Sequence, residues 1–121
     1  NPIGSRVAIF GLNFKEDCPD LRNTKVISIV NHLTSYGCDV VLTDSFANKQ
    51  EAKDTCDVDI IDINEINKVD ALIIAVGHKN YKLIKLKEWL SFFNERGVFL
   101  DIKSIFNESL FSNTNIEYWR L

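Results

Sequence analysis

The sequence predicts an α/β fold, a parallel sheet with helices on both faces, built by a single domain of 121 residues. Three observations carry that expectation. Short apolar runs rich in β-branched residues recur at Arg6 to Gly11, Val40 to Leu42, Ala71 to Val76 and Val98 to Leu100. They are continuous rather than alternating, as strands buried on both faces are. Segments with helical spacing lie between them, and strands alternating with helices imply parallel pairing through right-handed crossovers.

The elements follow in order. After the run Arg6 to Gly11, residues Val26, Ile29, Val30 and Leu33 recur at steps of three and four. Asn23 or Thr24 can cap the start of that helix and Gly37 can end it. Asn48 to Thr55, with Gln50-Glu51-Ala52-Lys53 inside it, predicts an exposed helix, and Ile63 to Asn67 a shorter one. Leu86, Trp89, Leu90 and Phe93 repeat the helical spacing before Gly97, and Ile116 to Trp119 predicts a last, edge strand. No repeat, low-complexity stretch or linker interrupts the chain, so one Rossmann-like domain is expected.

Composition excludes several classes. Apolar residues at 45% and charged residues at 26% are ordinary globular values and argue against disorder. No apolar run approaches the ~20 residues that cross a bilayer, and the N-terminus lacks a signal-peptide pattern. A net charge of -3 gives no basic face for nucleic acid. Cys18, Cys38 and Cys56 are odd in number and lack metal-ligand spacing, so a reduced, cytoplasmic setting and no metal site are expected. The chain contains no methionine, and Asn1-Pro2-Ile3-Gly4 reads as a cut inside something longer.

In open parallel sheets, ligands sit beyond the carboxyl ends of the strands, where the strand order reverses. Four loops should converge there, beginning after Gly11, Thr43, Val76 and Leu100, and offering Asn13, Lys15, Arg22, Asp44, His78, Lys79, Asp101 and Lys103. Three or four cations around one crevice suit a diphosphate. Lys15 and Arg22 flank Cys18-Pro19-Asp20 in a loop of about ten residues, longer than the usual ~2 to 6, which leads into a helix whose first N–H groups favour anions.

Each residue also has a plainer reading. Phe14 can plug the top of the core, Lys79 can be a solvated surface charge, and Asp20 suits either a turn or an ion partner for Arg22. His78 suits a ligand-facing, a subunit-facing or a packed structural role. Cys18 has no histidine nearby in sequence and reads as inert rather than nucleophilic. A dinucleotide site wants Gly-x-Gly-x-x-Gly in the first turn, whereas Gly11 is followed by Leu12, Asn13 and Phe14. That argues against NAD binding by this domain itself, although Asp44 stands where a ribose-binding acid would.

The run Gly11-Leu12-Asn13-Phe14-Lys15-Glu16-Asp17-Cys18-Pro19-Asp20-Leu21-Arg22-Asn23-Thr24-Lys25 is characteristic, and further motifs follow it in order. These are Tyr36-Gly37, Asp44, Ala75-Val76-Gly77-His78-Lys79, Asp101-Ile102-Lys103 and Tyr118-Trp119-Arg120-Leu121. Over nearly its whole length the chain resembles the C-terminal, UDP-binding domain of the UDP-glucose/GDP-mannose dehydrogenase family, and it looks most like the bacterial UDP-N-acetylhexosamine 6-dehydrogenases.

The resemblance implies an enzyme that oxidises the 6-hydroxymethyl of a UDP-sugar to a uronic acid for polysaccharide biosynthesis. It does so in two NAD-dependent steps through a thiohemiacetal on a cysteine. It implies that the NAD domain, a helical middle domain used for dimerisation and that cysteine precede Asn1, leaving this chain without a catalytic residue and inactive alone. By motif, Phe14 and Lys15 would lie against the UDP-sugar, Lys103 would contact it, and Arg22 would face NAD. Glucose-specific relatives have Asp-Gly-Arg where this chain has Asp101-Ile102-Lys103, which keeps the charge without the planar fork. The implied partners are the UDP-sugar, the protein's own preceding domains and a second subunit in a homodimer, with no nucleic acid and no membrane. The alternative is a non-catalytic nucleotide-binding or interaction module with a flavodoxin-like sheet. A phosphoacceptor version of it would need paired acids where Gly11-Leu12-Asn13 stands.

Overall fold

The structure, a computed structural model, describes residues 4–12 and 25–121. Strands β1 (Arg6–Phe10), β2 (Asp39–Thr43), β3 (Val69–Ile74), β4 (Phe93–Asp101) and β5 (Ile116–Arg120) form one sheet in the order β2-β1-β3-β4-β5. Every neighbouring pair is parallel. Helices α1 (Lys25–Ser35), α2 (Lys49–Cys56) and α3 (Leu86–Ser91) lie between strands. β1 has β2 on one side and β3 on the other, so the order reverses beside it.

The continuous apolar runs are explained by cover on both faces. Val7 and Ile9 join a cluster with Val26 and Ile27 of α1 and Ala52 of α2. Ala8 and Phe10, pointing the opposite way, join a second cluster with Trp89 of α3. That second cluster is aromatic. Trp89 is fully buried, with ring centroids 5.1 Å from Phe99 and 5.5 Å from Phe106, both edge-on, the arrangement ring quadrupoles favour.

Local signals set the ends of the helices. Gly37 has φ +88°, and the bonds Gly37 N–H to Thr34 O (3.0 Å) and Cys38 N–H to Leu33 O (3.1 Å) make a Schellman ending for α1. The Asn48 side chain accepts the Glu51 N–H at 2.9 Å and caps α2, in which Lys49, Gln50, Glu51, Lys53 and Asp54 are exposed and Ala52 is buried. The expected caps Asn23 and Thr24 lie outside the described residues.

Two expectations are corrected. The helix read over Leu86 to Phe93 ends at Ser91, and Phe93 opens β4 by pairing with Val69. Its ring lies against Gly97, where a Cβ would collide with it. Val69 pairs with Phe93 but Ala71 with Val98, so a step of two residues on β3 faces a step of five on β4. The segment read as a helix at Ile63 to Asn67 is a single 3₁₀ turn, Ile63–Glu65. Glu65 accepts the Asp62 N–H at 3.3 Å across its start, the backbone is already extended at Ile66, and Lys68 at φ +52° turns the chain into β3. A second 3₁₀ turn spans Lys79–Leu83.

Candidate functional site

Among the described residues the buried polar side chains are Thr43, Asp44, His78 and Asp101, at or just past the carboxyl ends of β2, β3 and β4. Buried polar groups are costly unless bonded, so their partners reveal what they build. The Asp44 carboxylate accepts the Leu12 N–H through Oδ2 and the Phe46 N–H through Oδ1, both at 2.8 Å. His78 Nε2 lies 3.2 Å from the same carboxylate and donates to it, since an ionised carboxylate only accepts. The His78 ring sits between Phe46 (4.6 Å) and Tyr81 (5.3 Å, edge-on).

These bonds tie the ends of β1, β2 and β3 together, as the loop convergence requires. Gly11 completes the knot. Its N–H bonds Thr43 O at 2.8 Å, its φ is +101°, and a Cβ there would lie 2.5 Å from the Val76 Cβ. On the other side Gly77 lies against Lys103, whose Cβ and Cγ would be 3.6 and 3.8 Å from a Cβ at that glycine. Lys79 and Lys103 are both exposed at this rim.

Three residues offered to a ligand by the sequence are thereby reassigned. Asp44, His78 and Asp101 face inward: the Asp44 carboxylate holds two backbone N–H groups and His78, and Asp101 Oδ2 holds the Phe106 N–H and the Tyr118 hydroxyl. Asp44 occupies the ribose-acid position, yet both its oxygens are already engaged, so it does not fit a dinucleotide ribose. Of the expected substrate contacts, Lys103 is exposed just past the carboxyl end of β4, while Phe14, Lys15 and Arg22, the last expected on the cofactor side, lie outside the described residues, as do Asn13, Cys18 and Asp20.

Sequence reasoning missed Tyr81. It is 1% exposed and lines a cleft of about 440 Å³ with Thr43, Ser45, Ile60 and Asn80. Burial first, and the Asp44 charge second, push its phenol well above the ordinary tyrosine value. It lies in the 3₁₀ turn Lys79–Leu83, for which the sequence pattern left no signal. Among the described residues no three His, Cys, Asp or Glu side chains gather to hold a metal ion, and no helix is long and apolar enough to cross a membrane.

An open parallel sheet with order reversed beside β1 and a crevice at its carboxyl ends defines a Rossmann-like ligand-binding domain. Residues 8–108 match the UDP-glucose/GDP-mannose dehydrogenase family, UDP binding domain, and the chain belongs to that family. It is 43% identical over 118 residues to Protein CapL of Staphylococcus aureus, covering 98% of this chain and 27% of that protein. It is 36% identical over 107 residues to the UDP-N-acetyl-D-glucosamine 6-dehydrogenase of Salmonella typhi, covering 87% and 25%. Among solved structures it resembles an NDP-N-acetyl-D-galactosaminuronic acid dehydrogenase from Methanosarcina mazei Go1 in fold, with TM-score 0.80, 23% identity, and coverage of 98% and 25%. The chain spans about a quarter of the length of these relatives.

Proposed function

We propose that this chain is the UDP-sugar-binding, C-terminal domain of a longer NAD-dependent nucleotide-sugar 6-dehydrogenase. That enzyme oxidises a UDP-N-acetylhexosamine to its uronic acid for polysaccharide biosynthesis in the cytoplasm. The observation that carries the reading is the family match over residues 8–108, joined by relatives that are UDP-N-acetyl-D-glucosamine 6-dehydrogenases.

The division of labour follows from chemistry. Phe14 and Lys15 lie against the UDP-sugar and Lys103 contacts it, with lysine ammonium groups as point-charge partners for phosphate. Arg22 faces the NAD held by the preceding domain. Asp44, spent on internal bonds, is no ribose ligand, so this domain contributes no dinucleotide site of its own. The catalytic cysteine belongs to the preceding part, and the full-length enzyme works as a homodimer.

Calorimetry of the 121-residue chain with UDP, GDP and NAD, together with turnover assays of the full-length enzyme, tests this. Expected are heat from UDP in preference to GDP and NAD, NADH formation by the full-length protein with a UDP-N-acetylhexosamine, and none by the 121-residue chain. Turnover by the short chain, or full-length protein inert on every UDP-sugar, would refute the reading.

A further inference from the structure

Lys103 sits at the tip of a short loop, two of whose backbone N–H groups, those of Ser104 and Phe106, bond Asp101. Asp101 O accepts the Ser104 N–H at 3.2 Å, closing a turn in which Lys103 is the third residue and Ser104 takes the left-handed φ of +54°. Asp101 Oδ2 accepts the Phe106 N–H at 2.9 Å, bridging the same loop from inside. Ile102 N–H reaches Ile74 O at 3.2 Å, so the loop starts from a fixed rung of the sheet. The Ser104 hydroxyl donates to Leu121 O at 2.6 Å and holds the outer side to the end of β5.

Asp101 is fully buried and depends on one donor from β5. The Tyr118 hydroxyl gives its proton to Oδ2 at 2.7 Å, while Oδ1 has no hydrogen-bond partner among the described residues. A carboxylate in that position is held by two donors, Phe106 N–H and Tyr118 O–H, and removing one leaves it free to turn. The loop it brackets would turn with it. Gly77 lies directly against the Lys103 stem, so a shift of that loop changes where the ammonium enters the crevice.

We infer that Asp101 and Tyr118 form a positioning pair that presents Lys103 to the nucleotide-sugar, a role that rests on Lys103 being a substrate contact as proposed above. Neither residue touches the substrate. Their effect passes through the geometry of one turn, which is how a tyrosine on the edge strand comes to set the affinity of the crevice.

The test uses the full-length dehydrogenase, with kcat and KM measured separately for the UDP-N-acetylhexosamine and for NAD. Lys103→Ala is expected to raise the sugar-nucleotide KM about tenfold or more, as loss of one charge-assisted bond does. Tyr118→Phe should raise the same KM roughly three- to tenfold, with kcat and the NAD KM within about twofold of the parent. The double variant should be no worse than Lys103→Ala alone, because a positioning residue has nothing left to position. If Lys103→Ala acts but Tyr118→Phe leaves KM unchanged, or the two effects add, the positioning pair is wrong and the substrate contact stands. If Lys103→Ala has no effect, the contact itself is wrong and the pair falls with it. Should Tyr118→Phe fail to fold, Asp101→Asn, which keeps the volume of the other member of the pair, takes its place. It must raise the same KM without moving kcat, and an unchanged KM overturns the inference.

Discussion

Replacing Asp44 with asparagine changes one oxygen for an NH₂ and almost no volume, so it isolates the electrostatics of the knot at the strand ends. Both carboxylate oxygens accept a backbone N–H at 2.8 Å, from Leu12 and from Phe46, and His78 donates as well. Whichever way the amide is flipped, its NH₂ faces an N–H and one acceptor is lost. Leu12 is 1% exposed, so its N–H finds no water in compensation. One lost bond to a charged group costs about 1.5–3 kcal/mol, and a buried donor left unpaired about 1–3 kcal/mol, so a net loss of roughly 2–4 kcal/mol is expected once relaxation is allowed for. At a few degrees of Tm per kcal/mol for a domain of this size, that is a fall of about 8–15 °C. Urea and thermal unfolding of the 121-residue chain, followed by far-ultraviolet circular dichroism, reads it directly. A loss below about 0.5 kcal/mol, the scale of an ordinary surface change, would show that Asp44 does not hold the strand ends together.

Other changes probe other parts of the fold. Gly11→Ala, at φ +101° and with its Cβ 2.5 Å from Val76 Cβ, should destabilise the domain by about 3 kcal/mol or more, and a normal melting curve would contradict the close approach. Trp89→Phe should cost only about 1–2 kcal/mol and Trp89→Ala about 3–5, because among the described residues the indole Nε1 has no hydrogen-bond partner to lose and packing is what is at stake. Urea titrations of both variants compare them, and equal losses would refute that account. Burial and the Asp101 bond raise the Tyr118 phenol above its ordinary value of 10.0, so the unfolded chain releases that proton before the folded one does. Stability held below pH 10 therefore falls as pH rises beyond it, and Tyr118→Phe should flatten that alkaline limb in melting experiments; an unchanged limb would place the effect elsewhere.

What the sequence disclosed, and what it hid, divides along physical lines. Strands β1 and β2, helix α1 and its glycine ending were legible because their signals are local: apolar runs, a three-and-four spacing, a glycine where φ must be positive. The edge strand at Ile116 was legible for the same reason. The end of α3 was not, because Phe93 satisfies the helical spacing equally well and only its pairing with Val69, with its ring packed on Gly97, assigns it to β4. At the site, the cleft past β2 and β3 lies where the topology put it, and Lys103 stands exposed just past the end of β4. The inward roles of Asp44, His78 and Asp101 depend on partners 32, 34 and 5 residues away, distances at which a single sequence carries no pairing signal.

The unequal register between β3 and β4 has a consequence for how this fold tolerates change. Odd insertions normally reverse which face every later side chain points to. Here the surplus residues loop out at the amino end of the sheet, where the Asn94 amide bonds Lys68 O and Asp70 Oδ1, both at 3.1 Å, and Glu95 and Arg96 are exposed. Beyond them Val98, Phe99, Leu100 and Asp101 return to regular pairing and lead into the Lys103 turn undisturbed. The excursion acts as an expansion joint. A reporter loop, a purification tag or a fluorophore placed at Glu95–Arg96 would sit at the end of the strands opposite the crevice, giving a handle on the domain that leaves the geometry of its ligand side alone.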